Sequence, residues 1–179
     1  MQARLNLLQK IFKARNKSEV DSLVQFIGNN PKKFDDLVNI FLAEPYQISQ
    51  RASRVLTFCA ERHPKLVKPY LKKLISNLDK NPIHNAAKRN TIRLLQFVDI
   101  PKKLQGRAAA ICFQYLDNTG EPIAVRVFSM TVLANIASDK PELKNELLLL
   151  LEKHLPYGSA GFVSRAGKII KKLKPLNLV

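Results

Sequence analysis

The spacing of the prolines constrains this chain more than any other feature. Eight of the ten fall into four pairs of identical separation: Pro45 and Pro64, Pro82 and Pro101, Pro122 and Pro141, and Pro156 and Pro175, each 19 positions apart. Only Pro31 and Pro69 stand outside the pairs, and the first members recur after 37, 40 and 34 positions. Proline is accommodated in the first turn of a helix, where its missing N–H would have no partner, and it ends a helix when it comes later. A pair so spaced brackets a helix of about four turns. A unit recurring every 20 to 50 residues marks an array that grows by stacking.

The apolar residues inside the brackets keep helical periodicity. Ile48, Ala52, Val55 and Cys59 make one face of the first bracket, and Ala87, Leu94, Leu95 and Val98 a comparable face of the second. The third, Ile123 to Ala137, is apolar nearly all round and is expected to be central, and the fourth carries Phe162, Ala166, Ile169, Ile170 and Leu173. Further helices lie between the brackets. Leu66 to Leu78 reads as one amphipathic helix with Lys65, Lys68, Lys72 and Lys73 off its apolar face; Leu104 to Tyr115 and Leu143 to Leu151 read likewise. Upstream, Leu5, Leu8, Ile11 and Phe12 predict a first helix, Val20 to Ile27 a second, and Phe34 to Leu42 a third. Helices this short need a neighbour to cover their apolar face. Short turns between them, such as Asp79 to Pro82 and Asn118 to Pro122, give stacked αα-hairpins over about 3–28, 31–62, 65–99, 102–139 and 142–174, in one domain spanning 1–179. The expected fold class is all-α with no strands: an α-α superhelix, a right-handed solenoid of about four to five helix pairs.

Pro64, Pro101 and Pro141 at helix ends, with a basic residue early in three second helices (Arg51, Lys88 and Arg126), make the chain resemble the HEAT-type repeat proteins over roughly residues 31 to 175. The resemblance implies a concave wall of second helices that binds partners, and a scaffold without catalysis.

Composition bounds the rest. The longest apolar run between charges is Leu147 to Leu151, far short of a membrane span of about twenty residues. Met1 to Ser18 has no continuous apolar stretch of signal-peptide length. It has no acid before Glu19 and carries five basic residues, as an organelle presequence does, but its helical spacing favours a first amphipathic helix. Asn16-Lys17-Ser18 matches a glycosylation acceptor, a tripeptide common by chance. Cys59 and Cys112, the two cysteines, both fall in apolar stripes, so buried, reduced thiols and a cytoplasmic location are expected. No cofactor is expected. His63, His84 and His154 are too dispersed for a metal site, and His63 and His154 sit where a helix end favours a cation.

Charge is the remaining signal. Thirty Lys and Arg against 14 Asp and Glu leave a net charge of +16, and residues 45–101 hold eleven of the bases against three acids. On the second helices the bases are periodic: Arg51 and Arg54, then Arg89 and Arg93 with Lys88 beside them, then Arg126, then Arg165 and Lys168 followed by Lys172. Such spacings put each set on one stripe. Like charges at i, i+4 repel by a few tenths of a kcal/mol, so the stripe is useful only if an anion meets it. Arg51, Arg54, Lys88, Arg89, Arg93, Arg126, Arg165 and Lys168 are therefore the candidate residues for a polyanion, most simply a nucleic acid backbone held through its phosphates. Lys65, Lys68, Lys72 and Lys73 read as a solvated outer face. Phe58, on the Arg51–Arg54 stripe, is either a stacking platform or inter-repeat packing.

Two other functions remain open. One is an adaptor for an acidic protein or peptide. The other comes from the DNA alkylation-repeat glycosylases, HEAT-like solenoids that use Trp side chains and an Asp; this chain has no Trp, and its candidate carboxylate, Asp99, sits in a Val98-Asp99-Ile100-Pro101 turn. Tyr157 to Gly161 reads as a turn with Ser159 capping the last helix. The chain is expected to be a monomer without membrane span.

Overall fold

The computed structural model describes residues 2–43, 45–80 and 82–174. Pro175, the closing member of the fourth proline pair, lies outside them. Every regular element among the described residues is helical: α1 (Gln2–Lys13), α2 (Lys17–Ile27), α3 (Pro31–Ala43), α4 (Tyr46–Arg62), α5 (Leu71–Asn77), α6 (Asn85–Leu95), α7 (Lys102–Asp117), α8 (Ile123–Ile136), α9 (Pro141–His154) and α10 (Ala160–Leu173). The chain is an all-α repeat of the solenoid class, and it divides into two compact units, Met1–Asp99 and Ile100–Val179. The division falls at the seam that the sequence places between its third and fourth hairpins.

The prolines open helices more often than they close them. Pro45, Pro101 and Pro122 are the N-cap residues of α4, α7 and α8, and Pro141 lies in the first turn of α9. None of these positions requires the N–H that proline lacks. Pro64 opens a 3₁₀ segment, Pro64–Tyr70, that contains Pro69. Here the structure departs from the single helix expected over Leu66 to Leu78: Pro69 has no N–H to give, the chain tightens into 3₁₀ geometry, and a regular α-helix resumes only at Leu71. In the second bracket α6 starts three residues after Pro82, capped by the His84 ring, whose Nδ1 accepts the Ala86 N–H at 3.0 Å.

In the first unit α3 packs on α4, α4 on α6, and α1 and α2 both lie against α4. The buried residues of α1 are Leu7 and Ile11, followed by Ala14 just past its end, so Leu5 and Phe12 of the expected stripe are exposed. The turn into α2 is a capping box: Asn16 Oδ1 accepts the Glu19 N–H at 2.9 Å, and the Glu19 carboxylate accepts the backbone N–H groups of Arg15 and Asn16 at 2.6 and 3.1 Å. Those two backbone bonds hold the Glu19 carboxyl below its ordinary value. Asn16-Lys17-Ser18 is thus the start of a helix, and Asn16 is its cap. Gly28 ends α2 at φ +52°, the left-handed region in which a side chain is strained.

In the second unit α8 is central, packed on α7, α9 and α10. Val125, Met130, Val132 and Leu133 are all buried, as its nearly uninterrupted apolar sequence requires. Ser159 caps α10, its Oγ accepting the Phe162 N–H at 3.4 Å. Phe162, fully buried, packs so close to Gly158 that a Cβ there would stand 2.8 Å from the ring. Cys59 and Cys112 are free and buried, and loss of hydration pushes each thiol up to about 12.

Candidate nucleic-acid interface

The first unit gathers arginines from three places in the sequence. Arg51 and Arg54 stand one turn apart on α4, Arg89 lies on α6, and Arg15 lies in the link between α1 and α2; together with Gln50 and Asn90 they line one hollow of about 340 Å³. No described carboxylate lines it. Arg54 and Arg89 are exposed, and neither has an ion-pair partner among the described residues.

Arg51, and Arg93 beyond the hollow, are held by aromatic rings. The Arg51 guanidinium lies 5.3 Å from the centre of the Phe12 ring, and its Nη1 donates to the Phe12 carbonyl. Arg93, one turn beyond Arg89, lies 5.1 Å from the centre of the Phe58 ring and 3.7 Å from the Glu61 carboxylate. Phe58 is half-buried beneath a cation, so packing and a charged contact are combined at that residue. Lys88 is half-buried on the same helix. Lys65, Lys68, Lys72 and Lys73 are exposed on the 3₁₀ segment and α5.

What sets the two helices in register is a set of buried polar groups. Ser53 and Thr57 on α4 and Asn90 on α6 are all buried. Asn90 Nδ2 donates to Ser53 Oγ at 2.8 Å, Ser53 Oγ donates to the Gln50 carbonyl at 2.7 Å, and Thr57 Oγ1 has the Asn90 and Ser53 carbonyls both at 3.0 Å. A buried hydrogen bond is directional where an apolar contact is not, so sliding α6 by one residue leaves these groups unpaired. The pin therefore holds Arg89 and Arg54 on one hollow.

The second unit treats its bases differently. Arg126 is half-buried with its guanidinium 4.7 Å from the Phe162 ring centre, its Nε donating to the Leu116 carbonyl at 3.0 Å; desolvation lowers its pKa, while the charge of Asp117 opposes that shift. Its Nη2 is buried without a partner among the described residues. Arg165 donates to Thr131 Oγ1 at 3.3 Å, and Lys168 is exposed. Asp117 accepts from Lys153 and lies 2.9 Å from His154 Nε2, and those two bonds hold its carboxyl below the ordinary value. The structure thus brings Arg51, Arg54 and Arg89 together, puts Arg93 one turn away in a partly neutralised pair, and places Arg126 and Arg165 in separate contacts with their own neighbours.

The sequence reading missed Arg15, Phe12 and the pin. Phe12 lies on α1 and Arg15 just after it, and no local pattern reveals the contacts of that helix with α4. The pin had a visible trace: Ser53 and Thr57 lie one turn apart, and Ser53 directly follows Ala52 on the apolar face. Asp99 is exposed in the coil after α6. No group of three or more metal-ligating side chains occurs among the described residues.

A family model described as a HEAT repeat domain matches residues 7–173, almost the whole chain. The chain belongs to the HEAT repeat family. No curated protein and no solved structure matches it. HEAT repeat proteins are generally non-catalytic scaffolds for binding interactions, and in this HEAT repeat chain no described helix is long and apolar enough to cross a membrane.

Proposed function

We propose that this HEAT repeat protein binds a nucleic acid backbone, with the arginine hollow of the first unit as the phosphate site. One observation carries the reading: Arg15, Arg51, Arg54 and Arg89 converge on a hollow that no described carboxylate lines. Four guanidinium groups so placed repel one another, and an anion with several oxygens converts that cost into charge-assisted, bidentate hydrogen bonds. Phosphates held this way position a strand without reading its bases. Two free, buried thiols accord with a reducing, cytoplasmic setting.

Salt dependence tests the reading. Four phosphate contacts give a slope of log affinity against log salt of about −2.8 for a single strand and about −3.6 for duplex DNA. Affinity then falls about 50-fold and about 150-fold, respectively, between about 50 and 200 mM salt. Arg54→Gln with Arg89→Gln removes two contacts and halves either slope, whereas Lys68→Gln with Lys72→Gln leaves it unchanged. Equal effects of the two pairs refute the hollow as the site. Salt-dependent binding to an acidic polypeptide, with no oligonucleotide bound at low salt, points instead to the adaptor function.

A further inference from the structure

The hollow lies within a longer track on α4 and α6, and a cation-over-ring pair stands near each end of it. On α4, Arg51, Arg54 and Phe58 follow at i, i+3 and i+7, one stripe of the helix; on α6, Arg89 and Arg93 follow at i, i+4. Arg51 over Phe12 stands at one end and Arg93 over Phe58 at the other. Phe12 is 48% exposed, so the edge and face of its ring that Arg51 leaves uncovered are open to a ligand. Resting on the proposed phosphate site, we infer that the occupant of this track is a single-stranded nucleic acid, its phosphates in the hollow and its bases stacked on the two cation–ring pairs.

Three physical points carry the inference. Aromatic rings and the flat faces of arginine side chains are the two surfaces on which unpaired bases stack, whatever their identity. In a duplex the bases are already paired and stacked on one another, so Phe12 and Phe58 would add nothing to its binding. The seven residue steps from Arg51 to Phe58 also rise about 10 Å along α4, the length of about three stacked base steps at about 3.4 Å. The track is therefore long enough for separate phosphate and base contacts along a strand. Glu61, 3.7 Å from Arg93, sets the acidic limit of the track at the Phe58 end.

The test is fluorescence anisotropy with a labelled oligonucleotide, single-stranded and annealed to its complement, measured on the full chain at fixed low salt. The single strand is expected to bind tighter than the duplex. Phe12→Leu keeps an apolar side chain and all four arginines of the hollow. It is expected to weaken single-strand binding about 5- to 150-fold while the salt slope stays near its wild-type value. Phe58→Leu acts in the same direction, and far-UV circular dichroism confirms that each variant is folded. Duplex binding equal to or tighter than that of the single strand overturns the inference, as does an unchanged single-strand affinity in a folded Phe12→Leu protein. In both cases the salt slope and its halving in the Arg54→Gln, Arg89→Gln variant still stand, so the phosphate site survives. Failure of both forms to bind sinks the inference and the phosphate site together.

Discussion

Asn90→Ala tests whether the buried polar pin, and not apolar packing alone, sets α6 against α4. Asn90 is 5% exposed, and its Nδ2 lies 2.8 Å from Ser53 Oγ. Truncation removes that bond, at a net cost of about 1 kcal/mol. Ser53 Oγ keeps its own donation to the Gln50 carbonyl, so no hydroxyl hydrogen is stranded. The void left by the amide adds about 1 kcal/mol, and the better helix propensity of Ala returns about half of that. The expected loss is about 1.5 kcal/mol, which lowers the urea midpoint by about 0.5 to 1 M at unchanged slope. With no Trp in the chain, far-UV circular dichroism is the natural probe. Thr57→Val costs about 1 kcal/mol, because it deletes the hydroxyl placed between two carbonyls. The double variant should be additive within about 0.5 kcal/mol, since Asn90 meets Thr57 through its backbone carbonyl, which alanine retains. A midpoint shift below about 0.2 M, or an increase, refutes the pin.

Other outcomes follow from single contacts. The folded-state pKa of Asp117 is depressed by its bonds to Lys153 and His154, so those bonds contribute stability that is complete above the unfolded value of about 3.9 and is lost as pH falls through the folded value. Acid titration of Asp117→Asn should therefore show a shallower loss of structure below about pH 4 than the wild type. Gly158→Ala brings a Cβ to 2.8 Å from the Phe162 ring and should cost about 1 to 3 kcal/mol in thermal or urea melts; a neutral result would mean that the ring shifts freely. Cys59 and Cys112, buried and raised to about 12, should resist a thiol reagent at neutral pH and react completely in denaturant. Glu61→Gln releases Arg93 from its carboxylate and should tighten oligonucleotide binding at low salt, an effect that fades as salt rises.

The helices and their order were legible in the sequence because they rest on local rules. Proline lacks one N–H wherever it sits, and an apolar face repeats every 3.6 residues whatever it packs against, so Ile48, Ala52, Val55 and Cys59 announce α4 unaided. Where two local rules compete the reading slipped: the apolar pattern from Leu66 to Leu78 predicted one helix, and Pro69 divided it. The stripes of Arg51 with Arg54 and of Arg89 with Arg93 were legible for the same reason. Their meeting was not, because it depends on the rotation and offset of α6 against α4, which Asn90 and Ser53 settle across 37 positions of chain. Arg15 reaches the same hollow, and Phe12 meets Arg51, only because α1 folds onto α4. Arg126, by sequence a twin of Arg51, packs on Phe162 and is partly dehydrated. Periodicity determines which side of a helix a residue occupies; only the packed neighbours decide whether that side faces an anion, a ring or water.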